Sequence, residues 1–277
     1  MNKPKSFAFV FVLALIFIAI GCEKKEPNGI EIIKKRGFLQ VAVSGDDPPF
    51  GYVDDKGINR GFEINFAKRL AYELLGDSSK IEFIIVDPRE RFEILMIGRA
   101  DVVLDNFTRT PERAERVDFG LPYMKVYISI LSPKATPIRN LSELKGEKLI
   151  VSEGSTAEEY FLKNHPEIEL VTLEQTSEIL QALKDGRGAA LAQDNTITFV
   201  WTHENSGFEV GINSLGSVEG IAPAVKKGNT ALLNFINNTI EELAEEQFFH
   251  KNFEATLRAF MGPEANPDDF VIEGGKL

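Results

Sequence analysis

"GRADVVLDNFT", residues 98–108, sets a pattern that the rest of the chain follows. Gly98-Arg99 closes a helix, an apolar strand follows over 101–105, and polar residues gather at its carboxyl end. "GRGAALAQDNT" (186–196) has the same shape, and "VAVSGD" likewise parallels "LIVSEG". Outward from the first stretch, "LQVAVS" (39–44) and "IEFIIV" (81–86) read as strands, and "PRERFEILMIG" (88–98) as a helix. Between the two strands, "GFEINFAKRLAYELL" (61–75) carries Phe62, Phe66, Leu70 and Leu74 at helical spacing. A second series runs "KLIVS" (148–152), "TAEEYFLKN" (156–164), "IELVTL" (168–173), "SEILQALKDG" (177–186) and "AALAQ" (189–193). This β-α-β-α-β order, met twice, predicts an α/β protein of two lobes with mainly parallel sheets. "YMKVYISILS" (123–132) joins the series and "SVEGIAPAV" (217–225) returns the chain, so two crossings make a two-strand hinge. A helix near 230–246 and the segment 248–260 then fall back on the first lobe. The tail "GPEANPDDFVIEGGKL" has little periodicity and either wraps or hangs free. In open α/β sheets ligands bind outside the carboxyl ends of the strands. Four such ends therefore matter: Ser44, Asp105-Asn106, Ser152 to Gly154, and Gln193-Asp194.

The chain of 277 residues is long enough for about two domains. With 43% hydrophobic and 26% charged residues it reads as an ordinary soluble globular protein. The exception is the amino terminus, where Lys3 and Lys5 precede an unbroken apolar run over 7–20. That run is short for a membrane span and reads as a signal-peptide core over 1–21. Gly21 before Cys22 resembles a bacterial lipoprotein cleavage site, and Cys22 is the single cysteine in the chain. It is therefore the expected lipidation site, and no cysteine remains for a disulfide, a nucleophile or a metal. Residues 22–30, with "EKKEPNG" in them, form a lipidated linker. The net charge is −11. Cleavage removes Lys3 and Lys5 and no acid, taking it to about −13. Such a charge argues against a nucleic-acid partner.

"LDNFTRTPERAERVDF" (104–119) holds a helix start: Thr110 can cap, Pro111 suits the first position and Glu112 the positive end. Arg113 is left over, one turn in and facing back toward Thr108. A lone arginine there is ordinarily a solvated charge. Together with "GDDPPFGYVDDKGINRGFEINFAKRLA", "LSELKGEKLIVSEGST" and "ALKDGRGAALAQDN", however, the stretch resembles the extracytoplasmic polar amino-acid-binding proteins of ABC importers, solute-binding protein family 3. The likeness covers about residues 31–260. It implies a periplasmic-binding-protein (type II) clamshell closing round one amino acid, with 31–128 and 220–277 as lobe I and 129–219 as lobe II.

A free amino acid brings a carboxylate and an ammonium, and burying either without compensation is prohibitive. A planar arginine forks onto a carboxylate with two charge-assisted hydrogen bonds. The resemblance assigns that role to Arg113, helped by Thr108, and the ammonium to Asp194 with the Asn106 carbonyl. In the opposite lobe "EGST" starts a helix, so the N–H groups of Ser155 and Thr156 are expected to face an anion. Phe107 and Gln193 sit beside these residues and join the candidate ligand-binding set. Arg109 and Arg116 read as surface charges, whereas Arg91 stands where relatives often place an arginine near the ligand side chain.

The side-chain end departs from the family. Relatives that bind cationic or amide ligands often carry a stacking aromatic where this chain has Asp47, and some place an aspartate where it has Ser44. Asp47 is expected to cap the turn at Pro48-Pro49, Phe50 to be core and Tyr52 to flank the mouth. Asn65 replaces a usual acid and Ala189 a common aspartate. A pocket without the aromatic lid suits a small polar ligand. The tail also resembles a subgroup that includes cysteine-binding receptors. The expected order is cysteine or another small polar amino acid, then aspartate or glutamate, then basic amino acids.

The expected function is therefore capture and delivery to an ABC permease with its ATPase, by a monomer tethered in the periplasm or at the cell surface. No cofactor, metal or catalytic residue is expected: His165, His203 and His250 lie in surface contexts, and no metal spacing or phosphate loop is present. The alternatives are a cyclohexadienyl-dehydratase-like enzyme, with Glu153 as a conceivable cleft acid, a basic amino-acid receptor, or a sensing module for a membrane partner.

Overall fold

The structure, a computed structural model, describes residues 29–277. The expected leader over 1–21, Cys22 and most of the expected linker over 22–30 lie outside the described residues. Two lobes each form round one sheet. The first has the strand order Ile81–Ile85, Leu39–Val43, Val102–Val103, Ala224–Lys226, Val117–Phe119. The second has the order Glu169–Leu173, Lys148–Ser152, Ala190–Asp194, Met124–Pro133, Phe208–Ile221, Thr108–Arg109. The repeated β-α-β-α-β pattern is thus a repeated topology. In each sheet the first three strands are parallel. The remaining neighbours are antiparallel, so the sheets are mixed where mainly parallel ones were expected. The cause is the crossing: strands that return from the other lobe enter each sheet from the opposite direction.

Both faces of each sheet are covered, which is why the strands read as apolar runs without polar alternation. Val41 and Val43 join Phe62, Phe66 and Leu70 on one face, whereas Ala42 joins Val103, Phe107 and Phe119 on the other. In the second lobe Leu149 and Val151 pack with Phe161, and Ile150 with Leu191 and Trp201. The expected helix over 61–75 is Phe62–Leu75, ended by Gly76 in the left-handed region at φ 73°. The expected helix over 88–98 is divided. A 3-10 turn, Pro88–Glu90, is held by a capping box between Asp87 and Glu90, and the helix Arg91–Met96 follows. Asn65 has a structural use: its Nδ2 donates to Asn252 Oδ1 at 2.9 Å, and Asn252 Nδ2 donates to the Phe62 carbonyl. An acid at 65 would have no proton to give.

Met124–Pro133 and Phe208–Ile221 are the two crossing strands, antiparallel to one another. The second has 14 residues against 10 in the first. Register shifts between Val210 and Glu219 absorb the excess and bend the strand. The tail wraps: Val271 bridges to Met124, Lys125 N donates to the Phe270 carbonyl, and Ile272 N to the Tyr123 carbonyl. Its Phe270 and Val271 share the first lobe's core with Phe249 and Phe253.

Candidate ligand-binding site

Thr110 caps the short helix Pro111–Ala114, its hydroxyl accepting from Arg113 N at 3.2 Å. The cap turns the Arg113 side chain inward, where it is 3% exposed. Arg113 Nη1 donates to the Thr108 carbonyl at 3.2 Å, and Nη2 reaches across the cleft to the Gly154 carbonyl at 2.9 Å. The guanidiniums of Arg113 and Arg91 lie 5.4 and 5.0 Å from the centre of the Phe107 ring, so one buried aromatic underlies both cations. Just before it, Asn106 takes a left-handed conformation at φ 43°. Few residues other than glycine do so readily, and asparagine is one. That turn lets Asn106 N donate to Glu63 Oε1 at 2.8 Å and Nδ2 to Asp47 Oδ2 at 2.5 Å.

The other wall comes from the second lobe. Ser155 caps the helix Thr156–Asn164, accepting from Glu158 N at 3.1 Å, which leaves Thr156 and Ala157 in the first turn at the positive helix end. Ser155 N itself donates to the Ser152 carbonyl at 3.2 Å, so of the two N–H groups expected to face an anion only that of Thr156 is in position. Asp194 closes the strand Ala190–Asp194 at 6% exposure, with the Thr156 hydroxyl 3.5 Å from Oδ1. Gln193 Oε1 accepts from Asp194 N at 3.0 Å and steadies the strand end.

These residues enclose a cavity of about 30 Å³. It brings together Ser44, Asp47, Arg91, Asn106, Thr108, Arg113, Ser155, Thr156, Gln193 and Asp194. Two expected members lie elsewhere. Tyr52 packs edge-on against Phe260, 6.5 Å away, and Phe107 is the floor beneath the arginines. Asp47 does not cap its turn with its carboxylate, which goes to Asn106 instead. Glu153 pairs with Arg89 at 3.4 Å outside the cavity lining. The cavity also takes in Pro88, Asp105, Ser152, Thr176 and Ile197. Asp105 and Ser152 stood at strand ends already marked by the topology. Pro88, Thr176 and Ile197 carry no local signal, because only the packing of the lobes brings them there.

Four acids and two cations are buried together. Arg91 Nε and Asp105 Oδ2 lie 3.0 Å apart, a charge contact without hydrogen-bond alignment. Burial raises the Asp105 carboxyl to about 8 against the pull of Arg91. Burial also lifts Asp194 to about 6, with Arg113 and Arg91 opposing. Asp47 is raised by burial and by neighbouring Glu63, and Glu63 by burial, although the Tyr123 hydroxyl bonded to it pulls the other way. Asn106 Oδ1 and Ser152 Oγ are buried without a hydrogen-bond partner. Polar atoms in that condition are where a polar ligand would bond. Arg113 at one point and Asp194 at another, each nearly dry, can hold a carboxylate and an ammonium.

Two α/β lobes meeting over a dry, charged cavity on a two-strand hinge define a clamshell binding protein. The chain belongs to the bacterial extracellular solute-binding proteins, family 3, whose pattern matches residues 39–255. It is similar to the cysteine-binding protein of Campylobacter jejuni, with 46% identity and a TM-score of 0.87 over 89% of this chain and 100% of that one. The solute receptor for L-cysteine of Neisseria gonorrhoeae is similar at 44% identity and a TM-score of 0.86, with the same coverage. The ABC transporter glutamine-binding protein GlnH of Bacillus subtilis is 31% identical over 258 residues, covering 89% of this chain and 94% of that one.

Proposed function

We propose that the protein captures one small polar amino acid, cysteine first, by hinge closure and hands it to the permease and ATPase of an ABC importer. The observation that carries this reading is that Arg113 and Asp194, from opposite lobes, face one enclosed cavity. The ligand carboxylate goes to Arg113 and to the N–H groups of Thr108 and Thr156, and the ammonium to Asp194. The lobes divide at the crossing strands, 31–128 with 220–277 against 129–219. Lipid at Cys22 tethers the otherwise monomeric protein to a membrane, in the periplasm or at the cell surface.

The side-chain end supports a small neutral group. Ser44, Asn106 and Ser152 offer hydroxyl and amide contacts to a short polar side chain, and none of the side chains lining the cavity is an aromatic that could stack on a long cationic one. That weighs against arginine and lysine. Arg91 is engaged by Asp105 and sits near Asp47, which weighs against aspartate and glutamate. A dehydratase would need a placed acid or base in the cleft, and Glu153, the acid suggested for it, lies at the rim.

Calorimetric titration with single amino acids, after unfolding and refolding to strip carried ligand, tests the reading. Cysteine, kept reduced, should bind tightly at one per chain, with serine weaker and glutamate, arginine and glutamine weaker still. Silence with every amino acid would overturn it, and turnover of prephenate well above background would replace it with the enzyme.

A further inference from the structure

A larger cavity, about 350 Å³, lies beside the ligand cavity. Its floor includes Tyr127 and Ile128 of one crossing strand and Leu215 of the other. Thr108, Thr156 and Asp194 line both cavities and so form the wall between them. Arg113 lines the inner one and Glu159 the outer one. These two side chains meet through the wall, where Glu159 Oε1 accepts from Arg113 Nε at 3.2 Å and from Nη2 at 3.0 Å.

The donor count gives this contact weight. A guanidinium has five N–H groups. Two go to Glu159, one to the Thr108 carbonyl and one to the Gly154 carbonyl, so one N–H on Nη1 is left for a ligand. The fork expected to grip a ligand carboxylate with two bonds is therefore largely taken up by the protein, and its remaining donor has one direction. Arg113 is almost wholly buried, whereas the Glu159 side chain is 47% exposed. Burying the cation without a fixed counter-charge would be costly. The pair joins the two lobes, so opening the cleft must break it. It belongs to the barrier for release rather than to the encounter.

We propose that Glu159 is a positioning residue for the ligand site: from the opposite lobe it fixes Arg113, shuts the side wall, and so sets how long a bound amino acid stays. This rests on Arg113 being the carboxylate partner, as proposed above. Other contacts across the cleft, such as Arg89 with Glu174 at 2.7 Å, join exposed side chains and do not reach the cavity. They serve as the comparison.

The test is stopped-flow release of cysteine from the wild type, Glu159→Gln and Arg89→Gln, with small-angle scattering of each in the absence of added amino acid. Glu159→Gln should release cysteine about tenfold faster or more, the effect of weakening a charged hydrogen bond, with association within about threefold of wild type. Arg89→Gln should stay near wild type in both rates, as exposed pairs do. Release from Glu159→Gln within twofold of wild type overturns the proposal. If the wild type takes up no amino acid at all, the reading of the site falls instead and scattering judges Glu159 by itself. A larger radius of gyration for Glu159→Gln then supports the clamp, and an unchanged radius overturns it.

Discussion

Burial lifts the Asp194 carboxyl to about 6 while Arg113 and Arg91 pull it down. An ammonium ligand needs that carboxylate ionised. Below pH 6 the ligand must displace a proton to bind, so affinity should fall by up to about tenfold per pH unit there. Titration at pH 5, 6 and 7.5 reads this directly, and Asp194→Asn should bind weakly at every pH. Equal wild-type affinity at pH 5 and 7.5 would remove Asp194 from the ammonium site. Arg113→Ala should cost roughly 100-fold or more in affinity, the worth of a buried charged hydrogen bond. Unchanged binding by a folded Arg113→Ala protein would end the carboxylate assignment. Arg113 and Asp194 stand out in the sequence as candidates because the family resemblance assigns them their roles and both lie at or just beyond strand ends at matching places in two similar halves. Glu159 was not. Nothing in "TAEEY" separates it from a solvated helix carboxylate, and only the closed cleft puts it on Arg113.

The elements that carry the site are short, so their caps matter more than their propensities. Pro111–Ala114 has four residues. Thr110→Ala removes the hydroxyl that takes up Arg113 N, and should cost about 1 kcal/mol of stability by denaturant unfolding. It should also weaken ligand binding, because the same turn aims Arg113. A variant as stable and as tight as wild type would show that packing on Phe107, not the cap, holds the arginine. At this scale the sequence was read well where a signal is local. Thr156–Asn164 and Lys148–Ser152 fall where periodicity put them. The helix expected over 88–98 is divided for a local reason too, since the Asp87–Glu90 capping box holds Pro88–Glu90 as a 3-10 turn before the helix Arg91–Met96. The first half of Phe208–Ile221 is hard to read because Phe208, Val210 and Ile212 alternate but Asn213-Ser214 and Gly216 then break the run, and the strand continues only by its irregular pairing with Met124–Pro133.

At the scale of the molecule, the doubled pattern announces two lobes, but only the crossings explain why the sheets are mixed and where the tail goes. The tail spans the start of a hinge strand, with Val271 on Met124 and the Phe270 carbonyl on Lys125 N. A second tie holds it to Phe248–Thr256: His250 Nδ1 lies 3.0 Å from Glu273 and Nε2 lies 2.8 Å from Asp268. Burial alone would lower the His250 pKa, but the bonds to Glu273 and Asp268 outweigh it and raise the group above its usual value. A folded-state pKa above the unfolded one stabilises fully below about pH 6.5, and that contribution is lost as pH rises through the folded value. Both partners compete with water at the surface, so the clasp should be worth about 0.5 kcal/mol. His250→Gln should therefore be less stable than wild type by that amount at pH 6 and level with it by pH 9, by urea unfolding at each pH. The difference should shrink in high salt, which screens exposed ion pairs. A gap that stays the same from pH 6 to pH 9 would mean that the His250 side chain holds the tail by packing, with no part for its charge.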